Sequence, residues 1–307
     1  SQASQYFRFD SLTIGSINAK YNMTSGTNDS NIQVVNSDLT GFVAWSNAQN
    51  WLAEGNYFHD CGHCIEFNTY ASYLPSQHLI VRGNTVMGPN GEDMIRIANF
   101  REVLIRNNEF INNIEHTVPT SQSSDVVCHC DVVQGVWGGS DLVFRGNSIL
   151  NGTGQGFFIK DALPGTYGLG KYQNVTVENN LIVNNKKDSD SPAPQFSWGS
   201  SALTPLFLFE ADNVRIFNNT VWDNDGAAII SDVVTNAVIK NNVFGRFQAA
   251  NGAVGTYDYN LSPNVSVVSG ASLSQGLNNI SSSAIFAYAN NGTDLNRANW
   301  NYRLTSN

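Results

Sequence analysis

Charge is scarce in this sequence of 307 residues, because only 13% of its side chains are Asp, Glu, Lys or Arg. No apolar run approaches the roughly 18 residues that a spanning helix needs, so we expect no membrane span. Acidic residues outnumber basic ones by 25 to 16, which gives a formal charge of −9. A negative surface repels phosphate backbones, and this argues against nucleic acid as a partner.

Asparagine and glycine dominate what is present, with 41 asparagines and 26 glycines. Both residue types favour turns, whereas the helix-favouring Lys and Glu are few. Apolar residues make up 41% of the chain, which is enough for a packed core. The composition therefore predicts an all-β protein with short strands and many turns.

One phrase recurs seven times: alternating apolar residues, then Gly or Asn, then Asn, then a second short apolar stretch. It reads WLAEGNYF, LIVRGNTV, VLIRNNEF, LVFRGNSI, VTVENNLI, VRIFNNTV and AVIKNNVF. Its anchoring asparagines are Asn56, Asn84, Asn108, Asn147, Asn180, Asn219 and Asn242. Successive anchors are 28, 24, 39, 33, 39 and 23 residues apart, and the shortest spacings define the basic repeat.

The apolar residues keep a fixed phase about each anchor, since the positions five and three before it and two after it are always apolar. A period of two on both sides of a turn indicates two strands that share one core. A third strand follows in CIEF, MIRI, DVVQ, FFIK, LFLF and AAII. We expect the anchor itself to adopt the left-handed conformation at the bend, and stacked anchors to form an asparagine ladder.

Three short strands in a repeat of about 23 residues predict a parallel β-helix, a single solenoid of roughly nine to ten coils. We assign regular coils to residues 51–260, irregular opening coils to 1–50 and an irregular C-terminal segment to 261–307. From about residue 6 to about residue 260, the chain resembles the pectate-lyase-like superfamily of right-handed parallel β-helices. The resemblance implies a carbohydrate-active protein of the polysaccharide lyase or epimerase type.

Three insertions beyond the basic coil, at 112–129, 161–173 and 185–204, predict where a binding groove lies. Loops on a rigid scaffold commonly carry binding sites, and these loops flank third strands of consecutive coils. The outward positions of those strands align as Glu66, Arg96, Gln134 and Lys160. We expect these side chains to face solvent and to span about 10 Å of a linear polymer. The alternative is that these polar side chains form a hydrated outer face that binds no ligand.

If the polymer is a uronate, the resemblance implies β-elimination, in which a base removes the proton beside the carboxylate. We assign Lys160 as the base and Arg96 as the cation that neutralises the carboxylate, because arginine stays charged. Asp131 and His129 complete the predicted catalytic set. Aromatic rings can stack on sugar faces while polar groups orient them. The predicted substrate-binding residues are Glu66, Gln134, Trp137, Tyr167 and Lys171.

The four cysteines lie in two pairs, Cys61 with Cys64 and Cys128 with Cys130. Histidines interleave with them, which raises the question of zinc, but a C-x-C pair has poor spacing for a zinc knuckle. Disulfides in an exported protein, buried free thiols and metal binding all stay open as alternatives.

No cofactor is predicted with certainty. Calcium is one option, because the lyase-type chemistry of the resembling superfamily often uses it and carboxylates are its preferred ligands. The candidate oxygen ligands are Glu66, Glu92, Asp93 and Asp131.

Several classes of function therefore remain in competition for a secreted or cell-surface protein whose predicted partner is a polysaccharide. A lyase acting on an acidic polymer is the first. A glycoside hydrolase could instead use Asp131 with Asp161, or Glu66 with Asp131, as acid and base. A carbohydrate-binding or adhesive β-helix, and a structural subunit that associates with itself through its coil ends, are the non-catalytic alternatives.

Overall fold

The computed structural model is a stack of short parallel strands. It describes residues 6–20, 31–45, 48–69, 75–88, 93–112, 117–118, 126–127, 131–152, 154–160, 170–183, 204–281, 286–288 and 301–304. A search of these residues finds no helix with the length and apolar character required to cross a membrane.

The thirty strands are numbered in chain order. The first ten are β1 (Phe7–Asp10), β2 (Thr13–Lys20), β3 (Ile32–Val35), β4 (Asp38–Trp45), β5 (Gln49–Glu54), β6 (Tyr57–Phe58), β7 (Ile65–Asn68), β8 (Ser76–Arg82), β9 (Thr85–Met87) and β10 (Ile95–Arg106). The next ten are β11 (Glu109–Ile111), β12 (Thr117–Val118), β13 (Val126–Val127), β14 (Val133–Arg145), β15 (Ser148–Leu150), β16 (Phe157–Ile159), β17 (Tyr172–Glu178), β18 (Leu181–Val183), β19 (Leu206–Phe209) and β20 (Ala211–Phe217). The last ten are β21 (Thr220–Trp222), β22 (Ala228–Ser231), β23 (Ala237–Lys240), β24 (Val243–Phe244), β25 (Phe247–Ala249), β26 (Val254–Asp258), β27 (Val265–Val267), β28 (Ser272–Gln275), β29 (Phe286–Tyr288) and β30 (Asn301–Leu304).

Twenty-six of these strands form one continuous sheet wound into a solenoid, and this confirms the predicted parallel β-helix. The strands that precede the turn asparagines are the first strands, and they stack in eleven levels: β1, β3, β5, β8, β10, β14, β17, β20, β23, β26 and β28. The stack is longer than the nine to ten coils expected, because it already begins at Phe7 and continues to Gln275. Two antiparallel hairpins, β12–β13 and β29–β30, lie outside it.

The core runs along the whole solenoid axis and is built from the alternate residues of each strand. In the first strands, Trp51, Leu79, Val103 and Leu142 stack in register, and each is at most 2% exposed. Aromatic rings add to this packing, as where the ring centroids of Phe144 and Phe157 lie 4.6 Å apart. The apolar phase about each anchor thus predicted the inward residues correctly.

The anchoring asparagines form a continuous hydrogen-bonded ladder inside the turns. The backbone N–H and the Nδ2 of Asn108 both donate to Oδ1 of Asn147, at 2.9 and 3.0 Å. The Nδ2 of Asn147 in turn donates to the carbonyl of Ile105 at 2.9 Å and to Oδ1 of Asn180 at 3.2 Å. Each amide is therefore satisfied although it is buried, which a solenoid interior requires.

The ladder extends further than the recurring phrase indicated. At one end the backbone N–H of Ser37 donates to Oδ1 of Asn56 at 2.9 Å. At the other end the ladder continues from Asn242 through Asn260 to Asn279, where the last bond is 3.1 Å. The phrase identified anchors only as far as Asn242, because Asn260 and Asn279 occupy the same position without the surrounding phrase.

In the seven turns of the phrase, the left-handed residue is the one before the anchor, so the expectation that the anchor holds this conformation was wrong. Gly83, Asn107, Gly146 and Asn179 have φ values of 63°, 53°, 65° and 56°. Glycine and asparagine tolerate positive φ better than other residues. This explains why the position before the seven anchors of the phrase is always Gly or Asn, whereas the anchor is selected for its amide. Before Asn260 the left-handed residue is Tyr259, with a φ of 56°.

We predict a graded response to substitution at these turns. A Cβ at Gly83 would meet nothing closer than 3.9 Å, so Gly83→Ala should lower the free energy of unfolding by only the left-handed strain, about 1 kcal/mol. Gly83→Asn should cost less, because Asn107 holds the same position in the next coil. At Gly146 a Cβ would lie 2.5 Å from Oδ1 of Asn107, so Gly146→Ala should cost about 2 kcal/mol or more. Denaturant unfolding measures all three, and equal losses would contradict the assignment.

Candidate functional site

The outward side chains of the third strands form a row along the solenoid, which we call the third-strand row. Strand pairing places Glu66 of β7 beside Arg96 of β10, and Arg96 beside Gln134 of β14. Val43 of β4 precedes Glu66 in this row, and Phe158 of β16 and Phe207 of β19 follow Gln134. The first three positions of the predicted alignment agree with this register, and the fourth does not.

Lys160 lies two residues beyond the third-strand row, so its alignment with Gln134 was wrong. Gln134 pairs with Phe158, and the N–H of Lys160 donates to the carbonyl of Gly135 at 3.1 Å. Lys160 was misaligned because the outward position of its strand, in the sequence FFIK, is held by an apolar residue, Phe158. Two coils and two residues separate Lys160 from Arg96, a Cα distance of about 12 Å from ideal strand geometry. Side chains of this length can still reach a common sugar from that distance.

Glu66 is only 5% exposed, so the expectation that it faces solvent was also wrong. It does point away from the core, but it lies in an interior strand with Val43 on one side and Arg96 on the other. Its Oε1 accepts a hydrogen bond from Nδ2 of Asn68 at 3.1 Å, which fixes the carboxylate beside Arg96.

Arg96 is the central cation of the third-strand row. Its guanidinium carbon lies 5.9 Å from the centroid of the Trp137 ring, within the range of a cation–π contact. Its Nε is buried and, within the part of the chain that the structure describes, has no hydrogen-bond acceptor. A buried donor without an acceptor costs free energy, and a carboxylate in the guanidinium plane would remove that cost. The arrangement suits recognition of an anionic group.

A second polar row lies three residues before the third-strand row and contains His63, Asp93 and Asp131. The backbone N–H of Asp131 donates to Oδ1 of Asp93 at 2.9 Å, and Nε2 of Gln134 donates to Oδ2 of Asp131 at 3.1 Å. Nδ1 of His63 lies 3.9 Å from Oδ2 of Asp93. The two aspartates are 2% and 1% exposed. Hydrogen bonds therefore hold two carboxylates from adjacent coils three residues before Arg96 and Gln134.

The sequence did not indicate that His63 and Asp93 lie beside the Arg96 row. His63 is one of the histidines between the cysteines, and Asp93 was predicted only as a calcium ligand. The available signal was the spacing of three residues that recurs on consecutive coils, as H-x-x-E, D-x-x-R and D-x-x-Q. Because the strands pair in register, the first residues of these motifs form one row and the last residues form a second, parallel row.

Metal binding gains no geometric support from the described side chains, among which no group of three or more His, Cys, Asp or Glu could hold an ion. Glu92, one of the four calcium candidates, lies outside the described residues.

Comparison with known families agrees with this architecture. A profile of the right-handed β-helix region matches residues 28–203, which is more than half of the chain. The chain belongs to the right-handed β-helix family. The matched residues run from β3 to β18 and include the third-strand row from Val43 to Phe158. Searches of curated proteins and of solved structures found no match.

The structure places Lys171 of this β-helix apart from the third-strand row. Its Nζ donates to the carbonyl of Val233 at 3.4 Å, near the start of the first strands. There it lines a cleft of about 620 Å³ together with Asp212 and Asn236. His129 and Tyr167 lie outside the described residues, so their roles stay predictions.

An outward aromatic cluster continues the third-strand row and was not predicted. It contains Phe158, Phe207 and Phe209, which are 5 to 8% exposed and are separate from the main core. Nζ of Lys160 lies 5.9 Å from the centroid of the Phe209 ring. Buried satellite clusters are typical beneath long loops, and β16 and β19 border the insertions at 161–173 and 185–204. The signal was the continuous apolar runs in FFIK and LFLF.

A disulfide joins Cys61 to Cys64 in the turn that leads into β7, with a Cα separation of 5.0 Å. The bonded sulfurs leave no thiolate for a metal, so the zinc hypothesis is wrong for this pair. The disulfide closes the segment that carries His63 and lies directly before β7, the strand of Glu66. Cys128 and Cys130 are outside the described residues.

We therefore predict that denatured but unreduced protein titrates no more than two of its four cysteines as thiols. Reductant should release at least two more, and mapping of alkylated peptides should find Cys61 and Cys64 protected before reduction. Four thiols in unreduced protein would show that this disulfide does not form.

Proposed function

We propose that this β-helix binds an acidic polysaccharide along the third-strand row and cleaves it by β-elimination, as a secreted or cell-surface protein. The observation that carries the proposal is the guanidinium of Arg96, whose buried Nε lacks an acceptor and whose face is turned to Trp137. The resemblance to the pectate-lyase-like superfamily supports the same substrate class.

Binding follows from the repeat of the scaffold. Neighbouring coils present equivalent side chains about 4.8 Å apart, so the third-strand row can follow a linear polymer from one sugar to the next. Arg96 takes one carboxylate of the polymer, and the amide of Gln134 is oriented by Asp131 at 3.1 Å. The Trp137 ring supplies an apolar surface beside the cation, which suits one face of a sugar.

The elimination uses Arg96 and Lys160 in different roles. Arg96 neutralises the carboxylate, which makes the adjacent C–H bond easier to deprotonate. Lys160 accepts that proton at Nζ. The electron pair of the C–H bond forms a carbon–carbon double bond, the glycosidic C–O bond breaks, and the departing oxygen takes a proton from solvent. The product is an unsaturated uronate and a new chain end.

Hydrolysis is the second candidate, because Asp93 and Asp131 are two carboxylates on adjacent coils. Their spacing of about one strand separation resembles the short distance between the two carboxylates of a retaining glycosidase. Both aspartates are nearly inaccessible, and each accepts a hydrogen bond that occupies a carboxylate oxygen. These contacts favour a positioning role, so we rank hydrolysis below elimination.

Incubation with a panel of acidic and neutral polysaccharides separates the two reactions. Elimination should produce ultraviolet absorbance from the unsaturated product, whereas hydrolysis should produce reducing ends without absorbance. Arg96→Ala should lower kcat/KM by about a hundredfold or more, and Lys160→Ala should abolish elimination, because one loses the neutralising cation and the other the base.

The matched control is Lys240→Ala, which removes an exposed cation from β23 on another face and should leave cleavage unchanged. Full cleavage by Lys160→Ala would refute the base assignment. An absence of both absorbance and reducing ends on every substrate would overturn the catalytic proposal.

A further inference from the structure

Three arginines occupy one register position on the outer face of the first strands. Arg82 of β8 pairs with Arg106 of β10, and Arg106 pairs with Arg145 of β14. We call these three residues the arginine column. Neighbouring strands are about 4.8 Å apart, so the column spans about 10 Å along the solenoid axis. Two of its residues, Arg106 and Arg145, lie on the long strands β10 and β14 that also carry Arg96 and Gln134, but at their opposite ends. The column contains three of the ten arginines of the chain.

Glutamates terminate the arginine column at both ends. Glu54 is the register neighbour of Arg82, and its Oε2 lies 2.7 Å from Nη2 of that arginine. Glu178 is the register neighbour of Arg145 and forms an ion pair with it. Arg106, in the middle, makes no side-chain hydrogen bond or ion pair with any residue that the structure describes. The order along the axis is therefore acid, three bases, acid.

Fold stability does not account for the arginine column. Like charges directly opposite each other on adjacent strands are destabilising, and Arg106 has an arginine on each side. The Nε of Arg82 is also buried and has no acceptor within the described residues. The chain carries a formal charge of −9, so the column is a local reversal of its overall sign. A bound anion would relieve both the repulsion and the missing hydrogen bond.

An aliphatic stripe lies beside the arginine column, two residues earlier on the same strands. Ile80, Leu104 and Val143 pair in register and are half-buried. Cations beside apolar surface fit an acidic sugar polymer, which carries both anionic groups and apolar ring faces. The stripe offers no aromatic platform on which the bases of a single-stranded nucleic acid could stack. The chemistry of this surface therefore favours a polysaccharide.

We propose that the arginine column is a second, non-catalytic binding site for a linear acidic polysaccharide. Each guanidinium contacts a carboxylate or sulfate group, and the aliphatic stripe contacts the sugar rings. Glu54 and Glu178 limit the site to about 10 Å, which is the length of two to three charged groups at strand spacing. The site is independent of the reaction proposed for the third-strand row.

Affinity measurements with a uronate polymer, dextran sulfate and neutral dextran test this site by calorimetry at low and high salt. Arg96→Ala combined with Lys160→Ala is the parent, because the first change weakens the third-strand row and the second abolishes cleavage. Adding Arg106→Glu should weaken binding of the charged polymers by about tenfold or more, since it removes at least one charge-assisted contact and introduces repulsion. Binding should fall with salt, and neutral dextran should not bind. The two charged polymers distinguish carboxylate from sulfate recognition.

The matched control is Lys240→Glu, because Lys240 lies at the same register position on β23, beyond Glu178 and Phe217. It makes the same change in net charge and should leave affinity within about twofold of the parent. Arg106→Glu places a carboxylate between Arg82 and Arg145, so its Tm should be equal to or higher than that of the parent. Weak binding with an undiminished Tm cannot come from misfolding.

Unchanged affinity in Arg106→Glu, an equal loss in Lys240→Glu, or binding of neither charged polymer by the parent would each overturn the proposal. Cleavage by the single variant Arg106→Glu reports separately on the third-strand row. Normal cleavage of short oligomers with no effect of Arg106 on affinity would leave the elimination proposal standing and remove the second site. No cleavage of short oligomers, together with weaker binding in Arg106→Glu, would refute elimination and leave the second site standing.

Discussion

The buried amide of the anchor asparagine is the interaction on which the rest of this β-helix depends. From Asn84 to Asn260, each anchor Oδ1 accepts two hydrogen bonds from the preceding anchor, and each Nδ2 returns a bond to a carbonyl of that coil's first strand. This bonding holds every turn directly beneath the last. A slip of one residue would exchange inward for outward side chains along an entire strand. The rows and columns of surface residues therefore exist because the ladder fixes register.

The sequence was sufficient to predict the parallel β-helix, because apolar residues keep one phase about each anchor. It was not sufficient to distinguish the two turn positions, since both accept asparagine. The difference lies in the exceptions: glycine replaces asparagine at Gly55, Gly83 and Gly146, where φ is positive, but never at the anchors of the phrase. The extent of the asparagine ladder at both ends of the solenoid was underestimated for a related reason. Ser37 and Asn279 meet the same hydrogen-bonding demand in sequences that do not contain the phrase.

The candidate site was predictable where alternation alone decides direction, and not where neighbouring coils decide burial. Alternation placed Glu66 and Arg96 on the outer face, and strand pairing places them side by side. It could not show that Glu66 is covered, because that depends on the side chains of adjacent coils. Nor could it place Lys160, since the apolar Phe158 holds the outward position of its strand. Register between coils separated by insertions is set by pairing, which a single repeat does not encode.

The same stacking produces two surfaces with different physical character. On the third-strand row, Arg96 lies between Glu66 and Gln134 and near two buried aspartates, so charges of both signs surround one position. Such a mixture can orient a single reacting group. In the arginine column, like charges repeat at strand spacing and only the ends are neutralised. Repetition of one charge favours a ligand that is itself repetitive, because each coil adds a contact without a new geometry. One scaffold therefore presents a position of mixed charge on one face and a repeated positive charge on another.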